Sequence, residues 1–219
     1  MTGGLTIEQV FDTVAGMNDL AWQGSLLGTQ PPAVDATLDG LRRRELEGGA
    51  WVDHLPGWLA GADEVFAVAL EHLPWGQRTE RLHGQELLQP RLTASIPVDE
   101  LPDGLEVLAE IGAVLDERYG RHFERIGANL YRDGRDSVAW HGDRVARELP
   151  QALIAIVSVG TPRSFRLRPR DGGASLGFSL GGGDLLVMGG SCQRTWQHTV
   201  PKVAAAGPRI SLTYRHAYP

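Results

Sequence analysis

The 219-residue sequence predicts a mainly β domain of the α+β class, a β-sandwich or jelly roll with helices packed against one side. Two observations carry this. Helical periodicity is confined to the first 120 residues, and beyond them the chain breaks into short apolar or alternating runs separated by Gly, Pro and Asp. A third bounds the answer: 42% hydrophobic and 22% charged residues are ordinary for a globular chain with one sizeable core.

In order, residues 6–18 read as a helix, with Thr6 and Gln9 forming a capping box and Leu5 able to staple to Val10. The stretch from Gly24 to Gly40 is rich in Gly, Pro and small polar residues. It reads as a loop, so residues 1–40 are expected to be an appendage. A short strand is expected around 50–53, then a turn at Pro56-Gly57. A helix follows over 63–72, with Asp63 and Glu64 at its start and Pro74 just past its end. The clearest amphipathic helix spans 103–119: Leu105, Leu108, Ile111, Val114 or Leu115, and Tyr119 recur at helical spacing, and Gly120 supplies the stop. Strands are then expected at 126–131, 153–159, 164–168, 174–180, 184–188, 194–198 and 209–215.

No apolar run approaches the length of a membrane span, and the N-terminus lacks a basic segment followed by an apolar one, so no secretory signal is expected. The single cysteine, Cys192, excludes an internal disulfide and fits a reducing cytoplasm. A net charge of −6 argues against indiscriminate coating of nucleic acid. The charge is segregated, however: residues 1–119 hold 7 Lys/Arg against 20 Asp/Glu, and residues 120–219 hold 14 against 7. Such a basic half either faces an anionic substrate or cosubstrate or is simply solvated. No coiled-coil heptads are present, and a monomer without an obligate protein partner is expected.

Trp140-His141-Gly142-Asp143 is the first chemical feature. At a strand end, alternation puts His141 and Asp143 on one face, where an imidazole and a carboxylate can converge on a cation. Alone, such a dipeptide is weak. His198, in Thr195-Trp-Gln-His-Thr-Val-Pro201, is either a core histidine or a second imidazole. In the latter case the three residues form the two-histidine, one-carboxylate facial set of non-haem iron(II) oxygenases. In Arg209-Ile-Ser-Leu-Thr-Tyr-Arg215, alternation puts Arg209, Ser211, Thr213 and Arg215 on one strand face. Arginines on a buried strand need anionic partners, and a dicarboxylate would supply one at each end; the alternative is a half-exposed strand. Asn129 and Tyr131 also share a face and could both donate to a carboxylate or keto oxygen.

The ordered set Asn129-x-Tyr131, His141-x-Asp143, Ser158-Val-Gly160, Gly183-Asp-Leu-Leu-Val-Met188, His198-x-Val-Pro201 and Arg209-to-Arg215 resembles the AlkB family of DNA/RNA repair dioxygenases. The resemblance is strong over residues 126–216 and looser over 50–125. It implies a double-stranded β-helix (jelly roll) over 121–219 within a domain of 41–219, with a lid around 74–100. It implies iron(II) held by His141, Asp143 and His198, and 2-oxoglutarate held by Arg209 at its distal carboxylate, Arg215 near the metal, and Asn129 and Tyr131. Dioxygen would take the remaining position. It further implies hydroxylation of an N-methyl group on a base of DNA or RNA, with release of formaldehyde, succinate and carbon dioxide. The base must be flipped out of its stack to reach the metal.

Two positions depart from the family's pattern. Many members carry an acidic residue two positions after the metal-binding Asp, where this chain has Val145. Many carry an aromatic residue in the lid after Pro-Arg, whereas Pro90-Arg91 is followed here by Leu-Thr-Ala-Ser-Ile-Pro97. Trp75 either substitutes for that aromatic or packs in the core. These departures leave open a related oxygenase acting on a metabolite, lipid or protein, and a metal-holding sandwich that oxidises nothing is a third class. Arg91, Trp140, Arg163 and Arg166 are the candidate substrate-contacting residues. Arg166, Arg168 and Arg170 alternate onto one face if extended, as a phosphate-contacting strip or a plain exposed strand.

Overall fold

The computed structural model describes residues 20, 30–82, 85–143, 149 and 151–216. The helix expected over 6–18 and the substitution at Val145 lie outside them. Strands β1 (Ala33–Val34), β2 (Arg42–Glu45), β3 (Ala50–Leu55) and β4 (Leu59–Ala60) lead into helix α1 (Ala62–His72). Next come β5 (Thr79–Leu82), β6 (Gln85–Leu88), β7 (Leu92–Pro97) and helix α2 (Val107–Tyr119). The remainder is β8 (Phe123–Tyr131), β9 (Val138–His141), β10 (Ile154–Gly160), β11 (Arg163–Pro169), β12 (Leu176–Leu180), β13 (Asp184–Gly190), the single turn α3 (Cys192–Thr195), β14 (Trp196–Val200) and β15 (Arg209–His216).

A seven-stranded antiparallel sheet, ordered β2-β3-β13-β10-β15-β8-β7, faces a four-stranded sheet, ordered β12-β11-β14-β9. The pairing alternates along the chain, with β10 on β13 and β11 on β14, which is the winding of a jelly roll. Alternation sorts side chains into two cores. On β10, Ala155, Val157 and Val159 join Phe66, Leu108 and Ile111 of α1 and α2 on the outer face of the large sheet. Ile154 and Ile156 join Phe165, Leu167 and Met188 between the sheets. This explains why β10 reads as an apolar run interrupted only by Ser158: it is buried on both faces.

α2 starts at Val107 rather than 103. Pro102 accepts from the Leu105 amide, and the Glu106 carboxylate takes the Gly104 amide, so the preceding residues form a turn. The described end of the 1–40 segment is docked on the domain. Leu38 is buried, β1 pairs with β4, and Trp58 Nε1 donates to the Asp35 carbonyl. β5 and β6 form a hairpin within the 74–100 region, and β7 is the edge strand beside β8. Trp75 is a core residue, buried against α1 with Nε1 donating to the Leu70 carbonyl. No helix among the described residues is long and apolar enough to cross a membrane.

Candidate metal and cosubstrate site

His141 is the last residue of β9 and His198 is its register partner in the middle of β14, so pairing of the two strands alone brings both imidazoles together. Their ring centroids are 4.2 Å apart. Asp143 Oδ1 lies 3.5 Å from His141 Nε2 and 3.6 Å from His198 Nε2, and one donor atom from each of the three residues falls within a 4.8 Å set. Gly142 makes this bend possible. A Cβ there would sit 2.5 Å from the Gln193 carbonyl oxygen and 3.0 Å from Arg170 Nη2.

Each donor is held by a neighbour. The Ala139 carbonyl lies 2.8 Å from His141 Nδ1, and because a carbonyl only accepts, Nδ1 carries a proton and Nε2 is the ring atom turned to Asp143. His198 stacks on Phe165, and burial pulls its pKa down to about 3, keeping it the neutral imidazole that a metal takes. The Asp143 amide donates to Gln193 Oε1 at 2.9 Å. Arg215 places Nε and Nη2 each 2.9 Å from Asp143 Oδ2, which leaves Oδ1 toward the histidines. Burial alone would raise the Asp143 carboxyl; Arg215 and the two imidazoles outweigh it and hold Asp143 well below the usual carboxylate range. Gly127 leaves room for Arg215, whose Nη1 would lie 2.8 Å from a Cβ at that position.

From the three donors a narrow cavity runs inward between the sheets, lined by Asn129, Tyr131, Arg209, Ser211 and Thr213 among others. The register β15–β8, with Arg209 opposite Tyr131 and Ser211 opposite Asn129, explains why the polar faces of both strands meet there. Arg209 is 1% exposed. Nη2 donates to Ser158 Oγ and the guanidinium lies 5.4 Å from the Tyr131 ring centroid, but Nε and Nη1 are buried without a hydrogen-bond partner. Burial pulls this guanidinium down to about 10. A buried cation with two unmet donors at the end of a cavity is a site for an anion. The residues present therefore fit both groups: the imidazole–carboxylate set suits iron(II), and the Arg209 end suits a carboxylate of 2-oxoglutarate. Arg91 lines the same cavity and donates Nε to Asn129 Oδ1 at 3.0 Å.

The four substrate-side candidates separate. Arg163 does not join the strip. It is 3% exposed, donating to the carbonyls of Asp133, Asp136 and Pro201, because odd spacing puts it on the inward face of β11 with Phe165 and Leu167. Arg166 is exposed on the opposite face. Trp140 also points outward, with the Arg168 guanidinium 4.2 Å from its ring centroid. Arg91 belongs to the inner cavity. The sequence reading missed Gln193 and Phe165, whereas Thr213 lines the cavity on the strand face that alternation assigned to it. Gln193 had no signal, since its turn α3 is too short for periodicity. Phe165 was legible as the inward parity of its strand.

A jelly roll whose mouth holds two imidazoles and one carboxylate on adjacent strands is the architecture and ligand set of the non-haem iron(II) oxygenases. The profile of the 2OG-Fe(II) oxygenase superfamily matches residues 64–215. The alkB homolog 3 alpha-ketoglutarate-dependent dioxygenase of Bos taurus is 36% identical, over 75% of this chain and 65% of its own length. DNA oxidative demethylase ALKBH2 of Arabidopsis thaliana is 35% identical, over 66% of this chain and 59% of its own. Among solved structures, a 2OG-Fe(II) oxygenase family oxidoreductase from Burkholderia pseudomallei superposes with a TM-score of 0.51 at 19% identity, covering 70% of this chain and 76% of that one. OsALKBH1 superposes with a TM-score of 0.51 at 15% identity, covering 80% and 100%; both likenesses bear on the fold. The chain belongs to the 2OG-Fe(II) oxygenase superfamily and, within it, to the AlkB family. It spans a little under two thirds of the length of these two curated relatives.

Proposed function

We propose that this protein is an iron(II)- and 2-oxoglutarate-dependent dioxygenase that demethylates N-alkylated bases in DNA or RNA. The observation that carries the reading is the cavity joining His141, Asp143 and His198 to the buried, half-unpaired guanidinium of Arg209. A protein that only held a metal would have no use for that cation.

His141, Asp143 and His198 would hold the iron, with Arg215 fixing the Asp143 carboxylate, Gln193 fixing the Asp143 backbone amide and Ala139 fixing the His141 tautomer. Arg209 would take the distal carboxylate of 2-oxoglutarate, with Tyr131 and Asn129 along its length and Arg215 at its metal-side end. When bound, iron(II), 2-oxoglutarate and dioxygen supply the oxidising equivalent: the methyl group gains one oxygen atom, and 2-oxoglutarate leaves as succinate and carbon dioxide. The hydroxymethyl adduct then loses formaldehyde and returns the unmodified base. Phe165, Ile154, Ile156 and Val200 wall the cavity and limit water beside the reacting centre.

The nucleic-acid assignment rests on the two curated relatives, one of them named a DNA oxidative demethylase, and on the basic C-terminal half. The test is formaldehyde release from an oligonucleotide carrying 1-methyladenine or 3-methylcytosine, with iron(II) and 2-oxoglutarate each omitted in turn. Release that needs both supports the reading. Succinate formation with no response to any methylated oligonucleotide would overturn the substrate.

A further inference from the structure

We propose that the outer face of the four-stranded sheet is a track for the sugar-phosphate backbone of a single nucleic-acid strand, leading it to the metal across Arg166, Arg168 and Arg170. The inference rests on the nucleic-acid reading above and says how that substrate approaches.

The strands of this sheet, β9, β11, β12 and β14, contain no Asp or Glu and three arginines. Arg163 is turned inward, whereas Arg166 and Arg168 share the outward face. No helix covers that face among the described residues, in contrast to the large sheet under α1 and α2. Arg168 is preset: its guanidinium stacks on Trp140, the residue before the metal ligand His141, and Nη2 donates to Gln197 Oε1 at 3.5 Å. Arg170 continues the row at the strand end. Its Nε is fixed by the Arg194 carbonyl at 2.9 Å, and its Nη2 lies beside Gly142, between the two ligands of the His-x-Asp pair.

Arg170 also lines a second, open cavity of about 640 Å³ on the outer side of the site, together with His141, Asp143, Gln193, Arg194 and Gln197. The inner cavity is the cosubstrate's, and the outer one is left for the target base. Side chains two residues apart on a strand lie roughly 6.8 Å apart, close to the phosphate-to-phosphate step of an extended strand. A single row of side chains along one strand and its end follows one backbone. It needs no second strand, and a single strand presents its base without the cost of unpairing.

The test uses the full chain and an unmodified, fluorescently labelled single-stranded oligonucleotide, with binding read by anisotropy over a salt series. Each phosphate contact contributes roughly 0.7 to the slope of log affinity against log salt for a single strand. The R166A/R168A variant is expected to lose about 1.4 of that slope and to bind on the order of ten-fold more weakly. R166K/R168K, which keeps both charges, is expected to keep the slope, and thermal melting checks that each variant folds. An unchanged slope in the alanine pair, or no binding by the unmodified protein, overturns the track. An equal slope change on a duplex overturns the single-strand assignment. A slope that falls as expected while no methylated oligonucleotide is demethylated leaves the track standing and overturns the demethylase reading instead.

Discussion

Arg209→Met separates a cosubstrate clamp from a structural arginine, because the two roles predict opposite changes in stability. The Arg209 guanidinium is fully buried, and burial depresses its pKa from 12.5 to about 10. The folded state therefore disfavours the charged form that the unfolded chain keeps. The cost is present in full below about pH 10 and fades only between about pH 10 and 12.5. At 1.36 kcal/mol per pH unit, the charge costs the ligand-free protein about 3 kcal/mol at neutral pH. Methionine fills similar volume without charge and removes this cost, while giving up the Ser158 hydrogen bond, worth roughly 1 kcal/mol. The ligand-free variant should thus melt at or above the temperature of the unaltered protein. A carboxylate paired with Arg209 would satisfy its two unmet donors, and truncating such a buried charge pair typically costs about 2–5 kcal/mol, or roughly 30-fold or more in dissociation constant. The assay is thermal melting in the presence of manganese(II), which supports binding without turnover, with and without 2-oxoglutarate. The variant should lose most of the 2-oxoglutarate-dependent rise in melting temperature. A ligand-free variant that melts several degrees lower yet keeps the full 2-oxoglutarate shift would refute the clamp.

Four further outcomes follow from the same contacts. His141→Ala should abolish turnover of every substrate and weaken iron(II) binding; full retained activity would sink the iron assignment. Gln193→Leu strands the Asp143 amide without its acceptor, so metal affinity measured by competition with a chelator should fall roughly 10–100-fold, and an unchanged affinity would count against it. Asp53→Ala removes the buried partner of both Arg43 (2.7 Å) and Tyr119 (2.9 Å), remote from the cavity. It should cost about 3 kcal/mol and roughly 10 °C in melting temperature, with turnover per folded molecule unaltered. Trp75→Phe should lower stability by about 1 kcal/mol through its lost bond to Leu70 and leave oligonucleotide affinity alone; a ten-fold loss of affinity would make Trp75 a stacking residue after all.

The parts of the site that were legible in the sequence are those set by strand parity. Arg209, Ser211, Thr213 and Arg215 line the cavity while Ile210, Leu212 and Tyr214 pack under α1 and α2, as a period of two requires. The pairing of His141 with His198 was less visible, because it depends on register between strands 57 positions apart, for which no local signal exists. Edge and hairpin strands were missed for a different reason. β2 is Arg-Arg-Arg-Glu, an exposed edge protected by charge, so it has no apolar face to read. β7 alternates, with Leu92, Ala94 and Ile96 on the core side, but its small and polar members resemble a loop in composition.

Arg163 and Arg166 show how far parity reaches and where inattention to it misleads. Grouped by composition, both belong to one basic run; three positions apart on a strand, they fall on opposite faces. The consequence is a division of labour. Arg163 donates to carbonyls on the loop before β9 and on the chain just after β14, the two strands that carry His141 and His198. Its loss should loosen the metal site and leave phosphate contacts in place. Arg166 touches solvent, and its loss should do the reverse. The proposed metal site and the proposed track therefore divide one four-stranded sheet between them, the first taking its inward parity and the second its outward parity. Inward positions are constrained by packing, which the apolar pattern records. Outward positions are constrained only by charge, so hydropathy does not register them, and the absence of any acid from all four strands is the one compositional trace they leave.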